Sequence, residues 1–257
     1  MPMPVRSGFP YHRALAALAL LLAACSAGPM DLISLEANSL QLGMVAHWPC
    51  DAEGGVALVD SSGNSHDGAL NGVSWVGGRF GGALHFDGSG SVTMPSFPQA
   101  CSSWSVALWY RAPSGNYDDN FLTLIGNEQA SAGGWEMSTN LSSTNSQYRF
   151  GYPIGGDAGS AFEHFDTQGV EVDTWVHLAA VVDGKTMRLS FYENGVLVGG
   201  SALSYPIQPG NNALCLGRWT SSHHSLVGDL DDIVIFNRAL VQAEVQELCA
   251  QPAPNPR

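Results

Sequence analysis

Short runs of alternating apolar and polar residues, divided by Gly, Asn, Asp and Pro, extend from residue 43 to residue 236. A period of two is typical of strands that bury one face of an antiparallel sheet. Along residues 104–110, Trp104, Val106, Leu108 and Tyr110 share one face, and the intervening residues share the other. Helical periods do not interrupt these runs. The pattern therefore predicts an all-β fold, a two-sheet antiparallel sandwich, rather than a doubly wound α/β sheet.

Two dipeptides predict tight turns within a three-stranded meander. Asp183-Gly184 and Asn194-Gly195 separate the apolar runs 176–182, 187–192 and 196–198. Such pairs are preferred in two-residue hairpin turns because both central residues adopt a positive φ. Residues 238–248 are rich in Ala, Glu, Gln and Leu and predict one short C-terminal helix.

The N-terminal residues predict export and lipid anchoring. Arg6 and Arg13 precede an apolar run at residues 14–24, which is too short to span a bilayer and is typical of a signal peptide. The run ends in Leu-Ala-Ala-Cys, which resembles the lipobox of bacterial lipoproteins, whose cysteine, here Cys25, is acylated. A secretory signal followed by a chance cysteine is the alternative. Because Ser26 follows the cysteine, the resemblance implies an exported protein that is lipid-anchored at the outer membrane of the cell envelope.

We predict four segments in the chain. They are a lipoprotein signal peptide at 1–24, the acylated cysteine and a tether at 25–42, a folded domain at 43–250 and a Pro-rich tail at 251–257. The formal charge is −13, and it becomes −15 once the leader with Arg6 and Arg13 is removed. Such an acidic chain is not expected to bind nucleic acid or anionic lipid.

Four cysteines remain after Cys25: Cys50, Cys101, Cys215 and Cys249. In an exported protein this number suggests two disulfides, in any of three connectivities. A bridge from Cys50 to Cys249 would tie the two ends of the domain together. The alternative is that some of the four are free buried thiols.

A polar loop at residues 60–68, Asp-Ser-Ser-Gly-Asn-Ser-His-Asp-Gly, lies between apolar runs. Calcium takes six to eight oxygen ligands, and Asp and Asn side chains together with backbone carbonyls can supply several of them. The same residue types are also common in turns, so a plain surface turn is the alternative.

Six motifs resemble, in order, those of laminin-G-like domains of the concanavalin A-like superfamily. They are residues 44–48 (MVAHW), 60–68 (DSSGNSHDG), 81–88 (GGALHFDG), 104–109 (WSVALW), 175–180 (WVHLAA) and 228–240 (GDLDDIVIFNRAL), and the resemblance covers residues 43–249. It implies a jelly-roll sandwich with a structural Ca²⁺ ion. It also implies the ligands of that ion: Asp60, Asn64 and Asp231, with His66 or its neighbours giving carbonyl oxygens.

Strand geometry bears on the choice between Asp231 and Asp232. Consecutive side chains point to opposite faces, so the two acids cannot serve one ion unless a bulge intervenes. Asp231 shares its face with Ile233 and Ile235, and a buried carboxylate needs a partner. Calcium is one such partner, and backbone amides or an arginine such as Arg238 are the alternative.

The last helix departs from the family pattern. A Ser or Thr usually begins it, but Val241 occupies that position here, with Glu244 three residues later. We therefore expect a helix start that is shifted or weakly capped.

Catalytic motifs are weak in this sequence. Glu171 and Asp173 are the nearest match to the alternating acids of the superfamily's β-glucanases, but the third acid is missing. The segment Glu163-His164-Phe165-Asp166 and the pair His223-His224 are possible transition-metal or proton-transfer groups. An adjacent pair is poor zinc geometry without further ligands, so exposed loop histidines are the favoured alternative. We therefore expect no enzymatic activity.

Several aromatic residues in Gly, Ser and Asn-rich stretches are candidates for stacking on sugar rings, and packing in the core or at its rim is the alternative for each of them. They are Trp135, Tyr148, Tyr152 and Trp219, with Tyr117 as a further aromatic of the same kind. We predict a surface-anchored, calcium-stabilised binding or structural module for a glycan or an extracellular protein. A glycoside hydrolase and a purely structural envelope lipoprotein are the alternatives.

Overall fold

The computed structural model describes residues 39–52, 54–95, 97–98, 102–115, 121–127, 133–142, 146–153, 162–208, 210, 213–218 and 225–250. The predicted signal peptide, Cys25, Cys101, Tyr117, Trp219, His223 and His224 lie outside these residues. The chain from Gly43 onward belongs to one compact unit. In the described part, no helix is long and apolar enough to cross a membrane.

Sixteen strands and one helix make up the described part of this unit. In chain order they are β1 (Met44–Trp48), β2 (Ala57–Leu58), β3 (Gly68–Asn71), β4 (Ser74–Gly77), β5 (Gly82–Asp87), β6 (Ser91–Met94), β7 (Trp104–Arg111), β8 (Phe121–Gly126), β9 (Glu136–Leu141), β10 (Ser146–Pro153), β11 (Phe162–Asp166), β12 (Trp175–Asp183), β13 (Arg188–Glu193), β14 (Val196–Ala202), β15 (Leu214–Leu216), β16 (Val227–Phe236) and α1 (Gln242–Ala250).

The strands form two eight-stranded antiparallel sheets that pack as a sandwich. The first sheet has the order β14-β13-β12-β7-β16-β5-β4, with β1 paired to β16, and the second has the order β11-β10-β9-β8-β15-β6-β3-β2. Neighbours such as β7 and β16 are far apart in the chain, as in a jelly roll. The prediction of an all-β, two-sheet antiparallel sandwich with a short C-terminal helix is confirmed.

The core lies between the two sheets. It contains the face of β7 that the alternation of apolar residues predicts to be buried. Trp104, Val106, Leu108 and Tyr110 are buried in this core. The intervening residues of β7 are also buried, because the outer face of the first sheet is partly covered: Trp109, for example, packs edge-on against Phe80. Strand β7 is therefore central and protected on both faces.

The predicted meander is present as β12, β13 and β14, but its two turns differ. Asn194 and Gly195 have φ values of 49° and 75° and form the expected tight turn. The turn at Asp183-Gly184 is longer than predicted, because Asp183 pairs with Arg188 and leaves residues 184–187 in the loop. The Asp183 carboxylate organises this loop by accepting hydrogen bonds from the Lys185 amide and the Thr186 hydroxyl.

The C-terminal helix begins four residues later than predicted, at Gln242. The preceding segment is fixed to β7 instead, since the Ser105 hydroxyl donates to the Arg238 carbonyl and accepts from the Leu240 amide. Val241 cannot cap the helix with its side chain, but Glu244 accepts a hydrogen bond from the Val241 amide at 2.9 Å. Half of a capping box therefore forms.

Candidate functional site

Asp60 is the centre of the polar loop that follows β2. Its Oδ1 accepts hydrogen bonds from the amides of His47 and Ser62, at 3.0 and 2.9 Å. Its Oδ2 accepts from the Ser62 hydroxyl and the His66 amide, both at 2.9 Å. Although burial raises the pKa of Asp60, the hydrogen bonds from His47, His66 and Ser62 outweigh it and hold the pKa below its usual range. Protein donors thus occupy both carboxylate oxygens.

His47 joins this loop to the last strand. Its amide binds Asp60, its Nε2 lies 2.6 Å from Oδ1 of Asp232, and its Nδ1 lies 3.1 Å from the Ser61 hydroxyl. The first loop and β16 are therefore connected, as the sequence suggests, but through a histidine side chain and Asp232. The motif at residues 44–48 contains His47 but predicted no role for it. Its role follows from the pairing of β1 with β16.

Asp231 lies beside Asp232 in a different environment. A bulge shifts the register between Asp231 and Val234, and Asp232 has a φ of 45°. Asp231 is fully buried, and its Oδ2 accepts hydrogen bonds from the amides of Arg79 and Phe80 at 2.7 and 2.9 Å. Its Oδ1 is buried and has no hydrogen-bond partner among the described residues. Burial, together with the nearby Asp232 carboxylate, raises the pKa of Asp231 to about 7.

Each of the four predicted calcium ligands forms hydrogen bonds with protein groups, although Oδ1 of Asp231 has no partner among the described residues. Besides the two acids, the Asn64 amide group donates to the carbonyls of Met44 and Val45, and the His66 carbonyl accepts from the Trp48 indole. Among the described residues, no three or more His, Cys, Asp or Glu side chains are grouped closely enough to hold a metal ion. These contacts do not fit a shared calcium site at these residues; calcium binding itself stays a prediction.

The predicted disulfides are absent from the described part of the chain. Cys50, Cys215 and Cys249 are free thiols, so the prediction of a Cys50–Cys249 bridge is wrong. Cys50 is instead buried beside Asp231 and Asp232, and burial raises the pKa of its thiol. The alternative of free buried cysteines holds for Cys50 and Cys215.

Most of the predicted aromatic platform is core. Trp135, Tyr148 and Tyr152 are at most 3% exposed, so they do not form an exposed stacking platform, and the alternative of core packing holds for Tyr148 and Tyr152. Tyr148 and Tyr152 point to the core side of β10, where Tyr148 packs edge-on against Tyr110 and the Tyr152 hydroxyl donates to Glu163. Trp135 is different, because it also lines a cavity at the end of the sandwich.

This cavity, the end pocket, has a volume of about 390 Å³. Its walls come from the Asp60 loop, from β1, from the end of β16 and from two tryptophans. The described lining residues are Met44, Val45, Asn64, His66, Phe97, Pro98, Trp104, Trp135, Ile235, Phe236 and Asn237. Trp104 and Trp135 pack against each other with ring centroids 4.4 Å apart, and the His66 ring lies 5.1 Å from that of Phe97.

The polar groups of the end pocket are few and neutral or weakly basic. Asn64, His66 and Asn237 contribute them, and no carboxylate belongs to the described lining. The indole Nε1 of Trp104 is buried and has no acceptor among the described residues. A mostly apolar pocket with a few convergent polar groups is the usual form of a small-ligand site. The Asp60 loop therefore shapes a pocket wall, a role that its composition did not reveal.

The other predicted chemical groups do not form an active centre in the described part. Glu171 and Asp173 are exposed in a loop, and Asp173 accepts a hydrogen bond from the Ser114 amide. On β11, Asp166 forms a bidentate pair with Arg149, and His164 lies 3.5 Å from the same carboxylate.

The chain is similar to one superfamily of known proteins in sequence and in structure. A family model described as the concanavalin A-like lectin/glucanases superfamily matches residues 86–246. No curated protein sequence matches the chain. Domain 4 of AbnA, a GH43 extracellular arabinanase from Geobacillus stearothermophilus solved in complex with arabinotriose, is 20% identical with a TM-score of 0.59. This match covers 80% of the chain and 98% of that domain.

Toxin binding domains are similar as well. The binding domain of Paraclostridial Mosquitocidal Protein 1 is 18% identical with a TM-score of 0.64, over 82% of the chain and 52% of that domain. The receptor-binding domain of botulinum neurotoxin type G is 18% identical with a TM-score of 0.60, over 80% of the chain and 51% of that domain. The chain thus spans about half of these toxin domains. At such identities the likeness shows a shared fold.

Proposed function

Because the chain belongs to the concanavalin A-like lectin/glucanases superfamily, we propose that it is a binding module whose end pocket takes a neutral sugar ring of a glycan. The observation that carries the proposal is the joining of Trp104, Trp135 and the Asp60 loop around one pocket of about 390 Å³. Aromatic walls contact the apolar face of a sugar ring, and the polar groups of Asn64 and His66 can bind its hydroxyls.

The chemistry of the pocket favours binding over hydrolysis. Glycoside hydrolysis uses two carboxyl groups that flank the scissile bond, and the described lining has none. One of the similar solved structures is a domain of an arabinanase bound to arabinotriose, which supports a glycan as the ligand class. Calcium is not placed at Asp60 or Asp231 in this proposal, and the binding does not depend on it.

We further propose that the module is held at the cell envelope by acylation of Cys25. The support is the apolar run at residues 14–24 that ends in Leu-Ala-Ala-Cys. Replacement of Cys25 by Ala should move the protein from the membrane to the soluble fraction. Unchanged membrane fractionation would contradict the anchor and leave the pocket proposal intact.

A glycan array followed by isothermal titration calorimetry tests the pocket. We expect neutral oligosaccharides to bind and His66→Ala to weaken their binding about tenfold, because the variant loses both a ring and a polar group from the pocket wall. Apart from the ring contact with Phe97, the contacts of His66 are hydrogen bonds of its backbone, so the variant should fold. Tyr205→Ala is the matched control, since Tyr205 is 61% exposed and does not line the pocket.

Two results would overturn the pocket proposal. One is equal binding by His66→Ala and Tyr205→Ala. The other is release of reducing sugar from the bound oligosaccharides, which would make the protein a hydrolase. Binding of a protein partner without any glycan would also contradict the assignment of ligand class.

A further inference from the structure

A second cavity, the basic groove, crosses the outer face of the first sheet beside the start of α1. It has a volume of about 590 Å³ and lies between strands β12 and β13 on one side and residues 237–241 on the other. Its charged lining residues are Asp183, Lys185, Arg188 and Arg238. Hydroxyl groups of Ser102, Ser103, Thr186 and Ser190 complete a polar lining.

The charge of this groove contrasts with the rest of the chain. The formal net charge is −13, and residues 39–250 contain only seven basic residues, of which three line this groove. Positive charge gathered on one surface of an acidic protein raises the local concentration of anions there.

The two outermost cations of the groove are available to a ligand. Lys185 and Arg188 are exposed, and none of the ion pairs of the described residues includes them. Asp183, which faces Arg188 across the hairpin, accepts hydrogen bonds from the Lys185 amide and the Thr186 hydroxyl and remains a carboxylate, so the two cations share the lining with one anion. Arg238 serves a structural purpose, because it forms a bidentate pair with Glu244 at 2.7 Å. The groove thus offers an ammonium and a guanidinium group next to several hydroxyls.

The basic groove adjoins the end pocket. Asn237 lines both cavities, and the neighbouring residues Ser103 and Trp104 line the groove and the pocket respectively. An extended ligand that fills the pocket can therefore continue past Asn237 toward Lys185 and Arg188. The first part of its path is neutral and aromatic, and the second is cationic.

We propose that the basic groove binds the carboxylate of an acidic sugar unit adjacent to the ring in the end pocket, so that the ligand of this protein is an acidic glycan. The inference rests on the proposed function for the neighbouring sugar. An oligosaccharide with a hexuronate unit fits both cavities, because its carboxylate can pair with Arg188 and Lys185 while a neutral unit contacts the tryptophans.

Calorimetry of the full chain with two matched oligosaccharides, one neutral and one carrying a hexuronate unit, tests this inference. We expect the hexuronate ligand to bind about tenfold more tightly at low salt, as expected for two exposed ion pairs, and to lose that advantage as salt is raised. The double variant Lys185→Ala/Arg188→Ala should remove the advantage and leave the neutral ligand unaffected. Arg218→Ala, a single-charge control outside the groove, should retain the advantage.

The outcomes separate the two proposals. Equal affinity for the neutral and acidic ligands in the wild type, or an unchanged preference in the double variant, would overturn the acidic-glycan inference while the pocket proposal stands. Binding of hexuronate that depends on Lys185 and Arg188 but not on His66 would support the groove and contradict the pocket. Absence of binding by either ligand would contradict both.

Discussion

Asp60 and Asp231 were expected to share one calcium ion, but they lie in opposite kinds of environment. Four donors surround Asp60, and both of its oxygens are used. Asp231 uses one oxygen, and the other is buried without a partner among the described residues. The pKa is lowered for Asp60 and raised to about 7 for Asp231. The number of hydrogen-bond donors around a carboxylate, more than its burial alone, therefore determines whether that carboxylate stabilises this fold.

The largest effect is expected from Asp60→Ala. This change leaves the part-buried amides of His47, Ser62 and His66 without their acceptor, and each donor that loses its partner away from water is costly. We expect a loss of about 4 kcal/mol in the free energy of unfolding, measured by urea denaturation.

The matched control for this change is Asp87→Ala. Asp87 is exposed and, among the described residues, accepts hydrogen bonds from Ser89. A loss in Asp60→Ala as small as that in the control would contradict the central role of Asp60 in the loop.

Unlike Asp60→Ala, the substitution Asp231→Asn should stabilise the fold at neutral pH. Because the folded-state pKa of about 7 lies above the ordinary value, the folded protein holds a proton that the unfolded chain has lost between about pH 4 and 7. This group therefore destabilises the fold as pH rises through that window. The asparagine keeps an acceptor for the amides of Arg79 and Phe80 and does not ionise.

The measurement for Asp231 is the difference in unfolding free energy between variant and wild type. We expect this difference to shift by about 3 kcal/mol in favour of Asp231→Asn between about pH 4 and 7.5. A variant that is less stable than the wild type at neutral pH, by as much as in acid, would show that the carboxylate has a stabilising partner.

The ionisation of His177 should change the free energy of unfolding somewhat less than that of Asp231 does, and with the opposite dependence on pH. His177 lies two strands from Asp231 on the same face, beside Trp109, and burial lowers its pKa to about 4. Below about pH 6.5 the unfolded chain binds the proton more readily, so stability rises with pH from about 4 to 6.5.

His177→Gln should remove about 2 kcal/mol of this rise, measured by thermal unfolding across the same pH range. As pH rises, His177 and Asp231 change the free energy of unfolding in opposite directions. Their combined effect on the stability of the wild type should therefore be small across that range. A steep pH profile of the wild type that is identical in His177→Gln would contradict this assignment.

The sequence predicted the fold well because alternation of apolar residues determines which face of each strand is buried. The alternation of β7 and the turn at Asn194-Gly195 are examples, and in both a local rule decides the structure. The loop after Asp183 and the start of α1 were less predictable, since side chains of Asp183 and Ser105 redirect the backbone.

The site was less predictable than the fold because it depends on residues far apart in the chain. Trp104, Trp135 and His66 meet at the end pocket only through the order of strands. Trp135 and Tyr148 both lie in Gly and Ser-rich stretches. Their sequence surroundings therefore do not distinguish Trp135, which lines the pocket, from Tyr148, which belongs to the core. A local sequence pattern also does not predict the bulge at Asp232 or the contact between His47 and Asp232.

We expect the fold not to depend on an ion shared by Asp60 and Asp231, because protein donors bind three of their four carboxylate oxygens. Thermal unfolding of the full chain in calcium and in excess chelator at neutral pH tests it most directly, with Asp231→Asn measured alongside. We expect the same Tm in calcium and in chelator for both proteins. We also expect the stability of Asp231→Asn relative to the wild type to be greater at neutral pH than in acid. A fall of several degrees in the wild-type Tm on chelation, absent in Asp231→Asn, would contradict it.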